Sequence, residues 1–204
     1  MSFFAQGFII GFSIAAPVGP IGILCIRRSL CDGYWLGFLT GLGAASADAF
    51  YGLIAGFGLT IISNFLVSQQ IELKLIGGLF LCYLGLKTIF TQPVKQVEIL
   101  SSKQGVSAYT STFFLTLTNP MTILSFVAIF SGLGLGNKNH YRDAAILVLG
   151  VFLGSALWWF LLVSGVSVFR DKISTRTLQG VNRISGILIF GFGLAALFSL
   201  IKIN

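Results

Sequence analysis

The sequence predicts an all-α integral membrane protein, in which six transmembrane helices form two inverted three-helix repeats and helices one and four are interrupted by proline. Three observations lead there: the composition, the length of the apolar runs, and motifs that recur between the two halves. Of 204 residues, 55% are hydrophobic and 9% charged, with a mean hydropathy of +0.93. Soluble domains carry about 25% charged residues, so most of this surface faces something other than water. The apolar runs reach the roughly 20 residues that a helix needs to cross a bilayer. They are continuous, whereas a transmembrane barrel would alternate apolar and polar residues over segments of about 10.

Span one covers about Phe3 to Ile26 and stops at Arg27 and Arg28. Its start, MSFFAQGFII, lacks the basic n-region of a secretory signal and reads as mature helix. Span two runs from about Tyr34 to Ser63 with one charged residue, Asp48; span three is about Ile71 to Phe90. The polar stretch TQPVKQVEILSSKQGVSAYTS is the longest segment unsuited to lipid. Span four follows from Thr112 to Leu135, span five from Ala144 to Phe169 and span six from Leu178 to Ile201. The chain divides into a first repeat (1–91), a cytoplasmic linker (92–111) and a second repeat (112–204), all within one membrane domain. Loops one, three and five hold nine basic residues: Arg27, Arg28, Lys87, Lys95, Lys103, Arg170, Lys172, Arg176 and Arg183. The other side holds four, Lys74, Lys138, Arg142 and Lys202. Positive charge marks the cytoplasmic face, which puts both termini on the non-cytoplasmic side.

The repeat is read from matches in the same order in each half. PIGILCI at Pro20 matches PMTILSF at Pro120, GFLTG at Gly37 resembles GVFLG at Gly150, and IGGLFLCYLGL at Ile76 resembles ISGILIFGFGL at Ile184. Three spans is an odd number, so the second half enters the membrane upside down. In transporters built this way the substrate site lies near the midplane, where interrupted helices meet.

Pro17, Gly19 and Pro20 in SIAAPVGPIGIL interrupt span one, and Asn119 and Pro120 in LTNP interrupt span four. A proline inside a helix removes a backbone hydrogen bond and clashes with the preceding turn. In lipid such a break is tolerable only in the protein interior or beside a wet cavity. Pro20 and Pro120 also suit the first position of a new helix, whose free amides and positive dipole end favour an anion such as a carboxylate. The plainer alternative is a pair of ordinary kinks. Asn119 offers an amide to a substrate or caps the helix after it. Asp48, in GLGAASADAFYG, is the only acidic residue deep in a predicted span. Charge at that depth is expensive, so Asp48 either exchanges a proton and meets an ammonium group, or glues helices together through hydrogen bonds. Trp158 and Trp159 fall mid-span, away from the interfacial belts; they wall a cavity or simply pack. Gly33, Gly37 and Gly41, four apart, and Gly52 and Gly56 fit close helix approach. His140 falls in a short loop and reads as solvated.

Several function classes are excluded. The net charge of +7 sits in loops rather than on a basic helix with interleaved aromatics, so no nucleic acid is expected. Cys25, Cys31 and Cys82 are odd in number and lack metal-ligand or CxxC spacing. They read as small apolar packers, with no cofactor and no resident metal. No nucleophile–base pair or phosphate loop appears, and no enzyme is expected.

In combination, PVGPIGILCIRRSL, GxxxGLGAASADAFYG and LTNPMTILSFVAIFSGLG resemble the signatures of the LysE/RhtB family of amino-acid exporters, and the resemblance runs from span one to span six. It implies a multi-pass protein of the bacterial inner membrane that exports an amino acid from the cytoplasm by proton antiport. The partners implied are an amino acid, protons and the lipid bilayer; a homodimer is left open. The family's characteristic positions map onto Pro17, Gly19, Pro20, Gly43, Asp48, Asn119 and Pro120, with the tryptophan pair Trp158 and Trp159. The alternative within the same broad superfamily is a heavy-metal cation exporter, which would call for more ligands than Asp48 and Cys82 supply.

Overall fold

The computed structural model describes residues 2–17, 19–56, 68–91, 102–119, 122, 125, 126, 141–170 and 174–201. These contain seven α-helices and no strand. Helix α1 (Phe3–Ala15) starts behind Ser2, whose hydroxyl accepts the Ala5 N–H at 3.3 Å. The N–H of Ala16 still reaches the Phe12 carbonyl at 3.1 Å, and then the helix stops before Pro17. Gly19 is extended, and Pro20 opens α2 (Pro20–Cys31) in the first turn, where its missing N–H costs nothing. The two helix axes differ by 79°. The break read from PVGP is therefore present.

Gly33, at φ +110°, turns the chain from α2 into α3 (Tyr34–Gly56), a conformation that side chains with a Cβ rarely adopt. The later helices are α4 (Gln70–Phe90), α5 (Ser102–Leu117), α6 (Tyr141–Ser167) and α7 (Thr175–Ile201). The bounds of α4, α6 and α7 agree with spans three, five and six to within one helical turn. Helix α5 starts at Ser102, ahead of the Thr112 read for span four, and ends at Leu117 just before Asn119. Pro120, most of 121–140 and the end of span two at 57–67 lie outside the described residues.

Three described helical stretches are long and apolar enough to cross a bilayer: Ile71–Phe90, Arg142–Ser167 and Arg176–Leu200. The bent pair α1–α2 makes a fourth when counted as one span. Helix α3, rich in small residues and carrying Asp48, is not among them. Ile76, Leu79 and Tyr83 of α4 and Ile184, Ile187 and Phe198 of α7 are all exposed, as the lipid-facing side of a multi-pass membrane protein requires.

Helix α1 lies along α6, α4 lies along α7, and α3 packs between α5 and α6. One apolar cluster draws a residue from every helix: Ala15, Leu24, Ala44, Leu81, Leu115, Trp159 and Ile189 are all buried in it. It surrounds the break. Small residues set the helix spacing, because a Cβ on Gly7 or Gly11 would strike the backbone of Leu147 or Val151, and one on Gly150 or Gly154 would strike that of Phe4 or Phe8. The substitution Gly154→Leu should therefore force α1 off α6, at about 1–3 kcal/mol or more, and lower the thermal midpoint of the purified protein. A Cβ at Gly165 meets nothing within 4 Å, so Gly165→Leu should leave the midpoint nearly unmoved.

Candidate functional site

Two cavities meet at the helix break. The inner one, about 70 Å³, has Pro17, Gly19, Pro20, Asp48, Asn119 and Trp159 among its walls. Five helices or helix ends thus contribute: the end of α1, the start of α2, the middle of α3, the end of α5 and the middle of α6. The outer cavity, about 560 Å³, shares Pro17, Gly19, Pro20, Asn119 and Thr122 with the inner one. It runs on between α4 and α7 past Leu81, Phe192 and Ala196, with Lys74 also on its wall. The inner chamber is small and mixed in polarity, and the outer one is large and mainly apolar.

Asp48 is buried, and Ser155 of α6 donates its hydroxyl to Asp48 Oδ2 at 2.7 Å. The one ion pair among the described residues is Arg27–Asp32, so Asp48 has no cationic partner there. A buried carboxylate in that position is stable when a proton or a cation neutralises it. Ser155 holds the oxygen in place but does not balance the charge.

Trp159 is 4% exposed, and its Nε1 is buried with no hydrogen-bond partner among the described residues. Gly41 makes room for it, since a Cβ there would stand 2.5 Å from Trp159 Cβ. Trp158 has different surroundings. Its ring meets Phe12 edge-on, with centroids 5.4 Å apart and planes at 83°, and it is not among the walls of either cavity. Neighbours on a helix point about 100° apart, which separates the two rings.

The start of α2 has no side-chain cap, and Pro20, Ile21 and Gly22 line the inner cavity. Ahead of Asn119, α5 ends at Leu117, whose carbonyl accepts the Tyr51 hydroxyl at 2.5 Å. Asn119 N–H bonds the Thr116 carbonyl at 3.1 Å, and Asn119's own carbonyl accepts the Thr122 N–H at 3.1 Å. The structure thus brings together Pro17, Gly19, Pro20, Asp48, Asn119 and Trp159, sets Trp158 apart, and leaves Pro120 outside the described residues. Sequence reasoning missed Ser155, Tyr51, Thr116 and Thr122. Tyr51 carried a usable signal, lying one turn after Asp48 on the same face.

The profile of a family described as LysE type translocator matches residues 12–200. The chain is 31% identical, over 94% of its length and 94% of the relative's, to a Bacillus subtilis protein named "Putative amino acid efflux protein YcgF". It is 26% identical to the "Leucine efflux protein" of an Enterobacter species, covering 91% of this chain and 90% of that one. An Escherichia coli protein named "Uncharacterized membrane protein YahN" is 28% identical, over 85% of this chain and 79% of its own. No solved structure matches.

Removing the Ser155 hydroxyl as Ser155→Ala takes a donor from a buried carboxylate, which should lower stability by about 1–3 kcal/mol and depress the thermal midpoint. Ser46→Ala is the control: that hydroxyl bonds the Leu42 carbonyl of its own helix, and its loss should move the midpoint far less.

Proposed function

The chain belongs to the LysE-type translocator family of membrane transporters, and from that premise we propose that it exports an amino acid in exchange for protons, by alternating access about the paired helix breaks. The observation that carries this reading is the meeting of the α2 start, the α5 end, Asp48 and Trp159 around one small cavity. An amino acid brings one carboxylate and one ammonium. The uncapped, positive end of α2 suits the carboxylate, and the unpaired Trp159 N–H is a further donor for it. Asp48 suits the ammonium. When the amino acid leaves, a proton neutralises Asp48, and competition between proton and ammonium for one carboxylate couples the two fluxes in opposite directions. Asn119 and the region of Pro120 supply the matching element from the second half.

The side chain of the substrate extends into the larger apolar cavity, where Leu81, Leu115 and Phe192 form walls and the one charged wall residue among those described is Lys74. That lining favours an uncharged aliphatic side chain over a basic one. It agrees with a relative named for leucine efflux.

The inverted repeat draws support from helix contacts. In the sequence match Gly78 corresponds to Gly186 and Gly85 to Gly193. A Cβ on Gly193 would stand 2.8 Å from the Gly78 carbonyl, and one on Gly85 would stand 2.8 Å from that of Gly186. Exchanging the two halves converts the first contact into the second, as a twofold axis between α4 and α7 requires. Likewise Gly43 of α3 packs on the backbone of Tyr109 and Phe113 in α5, as Gly154 of α6 packs on Phe8 and Phe12 in α1. The register differs from the sequence match by two residues, because that match pairs Gly154 with Gly41. With six spans and the basic loops inside, both termini are non-cytoplasmic.

Proteoliposome counterflow of labelled amino acids tests this. Leucine should exchange and respond to a pH gradient, with lysine weaker by more than about tenfold, the scale of an unpaired charge in an apolar pocket. Asp48→Asn should abolish the response to the gradient. Uptake indifferent to both the gradient and Asp48→Asn would defeat proton coupling, and metal efflux without amino-acid transport would turn the assignment to a cation exporter.

A further inference from the structure

At the other end of α2, about 420 Å³ of space opens between α2, α3, α4 and α5, sharing no wall residue with the inner cavity. Among the described residues, Arg27, Arg28, Lys87 and Lys103 line it with a single acid, Asp32. Arg27 uses that acid: its Nη1 lies 2.6 Å from Asp32 Oδ2, while its Nε donates to Asn182 Oδ1 at 2.7 Å. Arg28 donates only to neutral oxygens, those of Thr40 at 2.9 Å, Ala108 at 3.1 Å, and Thr112 and Ser111 at 3.2 Å. Lys87 stands 6.0 Å over the Tyr83 ring. Among the described residues, none of Arg28, Lys87 and Lys103 has a carboxylate within ion-pair distance. Three positive charges therefore share this cavity with one acid among the described residues, Asp32, and that acid is ion-paired to Arg27.

Helix dipoles account for part of this, since Arg28 and Lys87 lie in the last turns of α2 and α4, where cations are favoured. They do not account for Lys103. It sits in the first turn of α5, the positive end of that helix, where an anion is favoured. We propose that this cavity binds the phosphate of an anionic phospholipid such as phosphatidylglycerol. The walls supply chemistry for both parts of such a molecule: cations with the hydroxyls of Thr88, Thr91 and Ser107, and the apolar side chains of Leu36 and Leu84. Tyr83, Leu86 and Phe90 continue the apolar surface outward along α4. A zwitterionic amino acid fits worse, because three cations repel its ammonium. All four basic residues lie at or near helix ends around one cavity, and basic pockets between helices at the membrane surface bind anionic lipids.

Native mass spectrometry of the full-length protein in detergent tests this, with phosphatidylglycerol, phosphatidylcholine and inorganic phosphate as probes. Phosphatidylglycerol should be retained more tightly than phosphatidylcholine, and Lys87→Gln with Lys103→Gln should weaken it roughly 30-fold, the combined pull of two lysines on an anionic headgroup. Both lysines are exposed, so this pair spares the fold, whereas Arg28 ties three helices together. Lys74→Gln with Arg142→Gln, an equal loss of charge elsewhere, should keep the preference. Equal retention of the two lipids, or a preference that survives the Lys87/Lys103 pair, overturns the proposal. Displacement of phosphatidylglycerol by an equal concentration of inorganic phosphate would make the occupant a free anion and overturn the lipid assignment.

Discussion

A helix broken inside a bilayer leaves backbone groups that lipid cannot satisfy, and the rest of this fold is arranged to shelter one such break. Between Ala16 and Pro20 the chain stops making helical bonds and bends by 79°. The apolar cluster fed by every helix closes around that point. Glycines on α1 and α6 let the two backbones come close enough to seal one side. The end of α5 needs a similar remedy, and Tyr51 supplies it by donating to the Leu117 carbonyl. What the shelter leaves open is a small chamber, and Asp48 sits in its wall.

The same constraint ties charge to structure. Asp48 would be unstable in lipid, and here it has a serine donor but no described cation. That makes its environment incomplete in a way that a proton or an ammonium completes. Trp159 is the opposite case, a buried donor with no acceptor among the described residues. Both line one cavity, and the proposed transport assigns the ammonium of an amino acid to Asp48 and its carboxylate to the side of Trp159. The outer apolar cavity adjoins them and is continuous with the same proline segment.

Much of this was legible in the sequence, and the physics says which parts. Prolines in an apolar run and a lone aspartate at mid-span violate the rules for a plain transmembrane helix, so they stand out one residue at a time. Ser155 does not stand out, because a serine in a glycine-rich span also serves helix packing; only the fold reveals that it faces Asp48 across 107 residues of chain. Trp158 and Trp159 are indistinguishable as a pair, yet a rotation of about 100° around the helix decides which reaches the cavity. The pairing of α1 with α6, and of α3 with α5, crosses between the two halves. Such pairing is invisible to hydropathy, which reads each span alone. The arginines after span one read as anchors, while in the fold Arg28 reaches the oxygens of α3 and α5 and borders a separate cavity.

The central claim is that the inner cavity beside the α1–α2 break is where the amino acid sits. Trp159 is built into its wall, so with Trp35→Phe and Trp158→Phe as background its fluorescence reads that cavity alone. Titration with leucine should shift or quench the emission saturably, and Asp48→Asn should abolish the change. Emission unmoved by any amino acid, while the same preparation transports one, would contradict the claim.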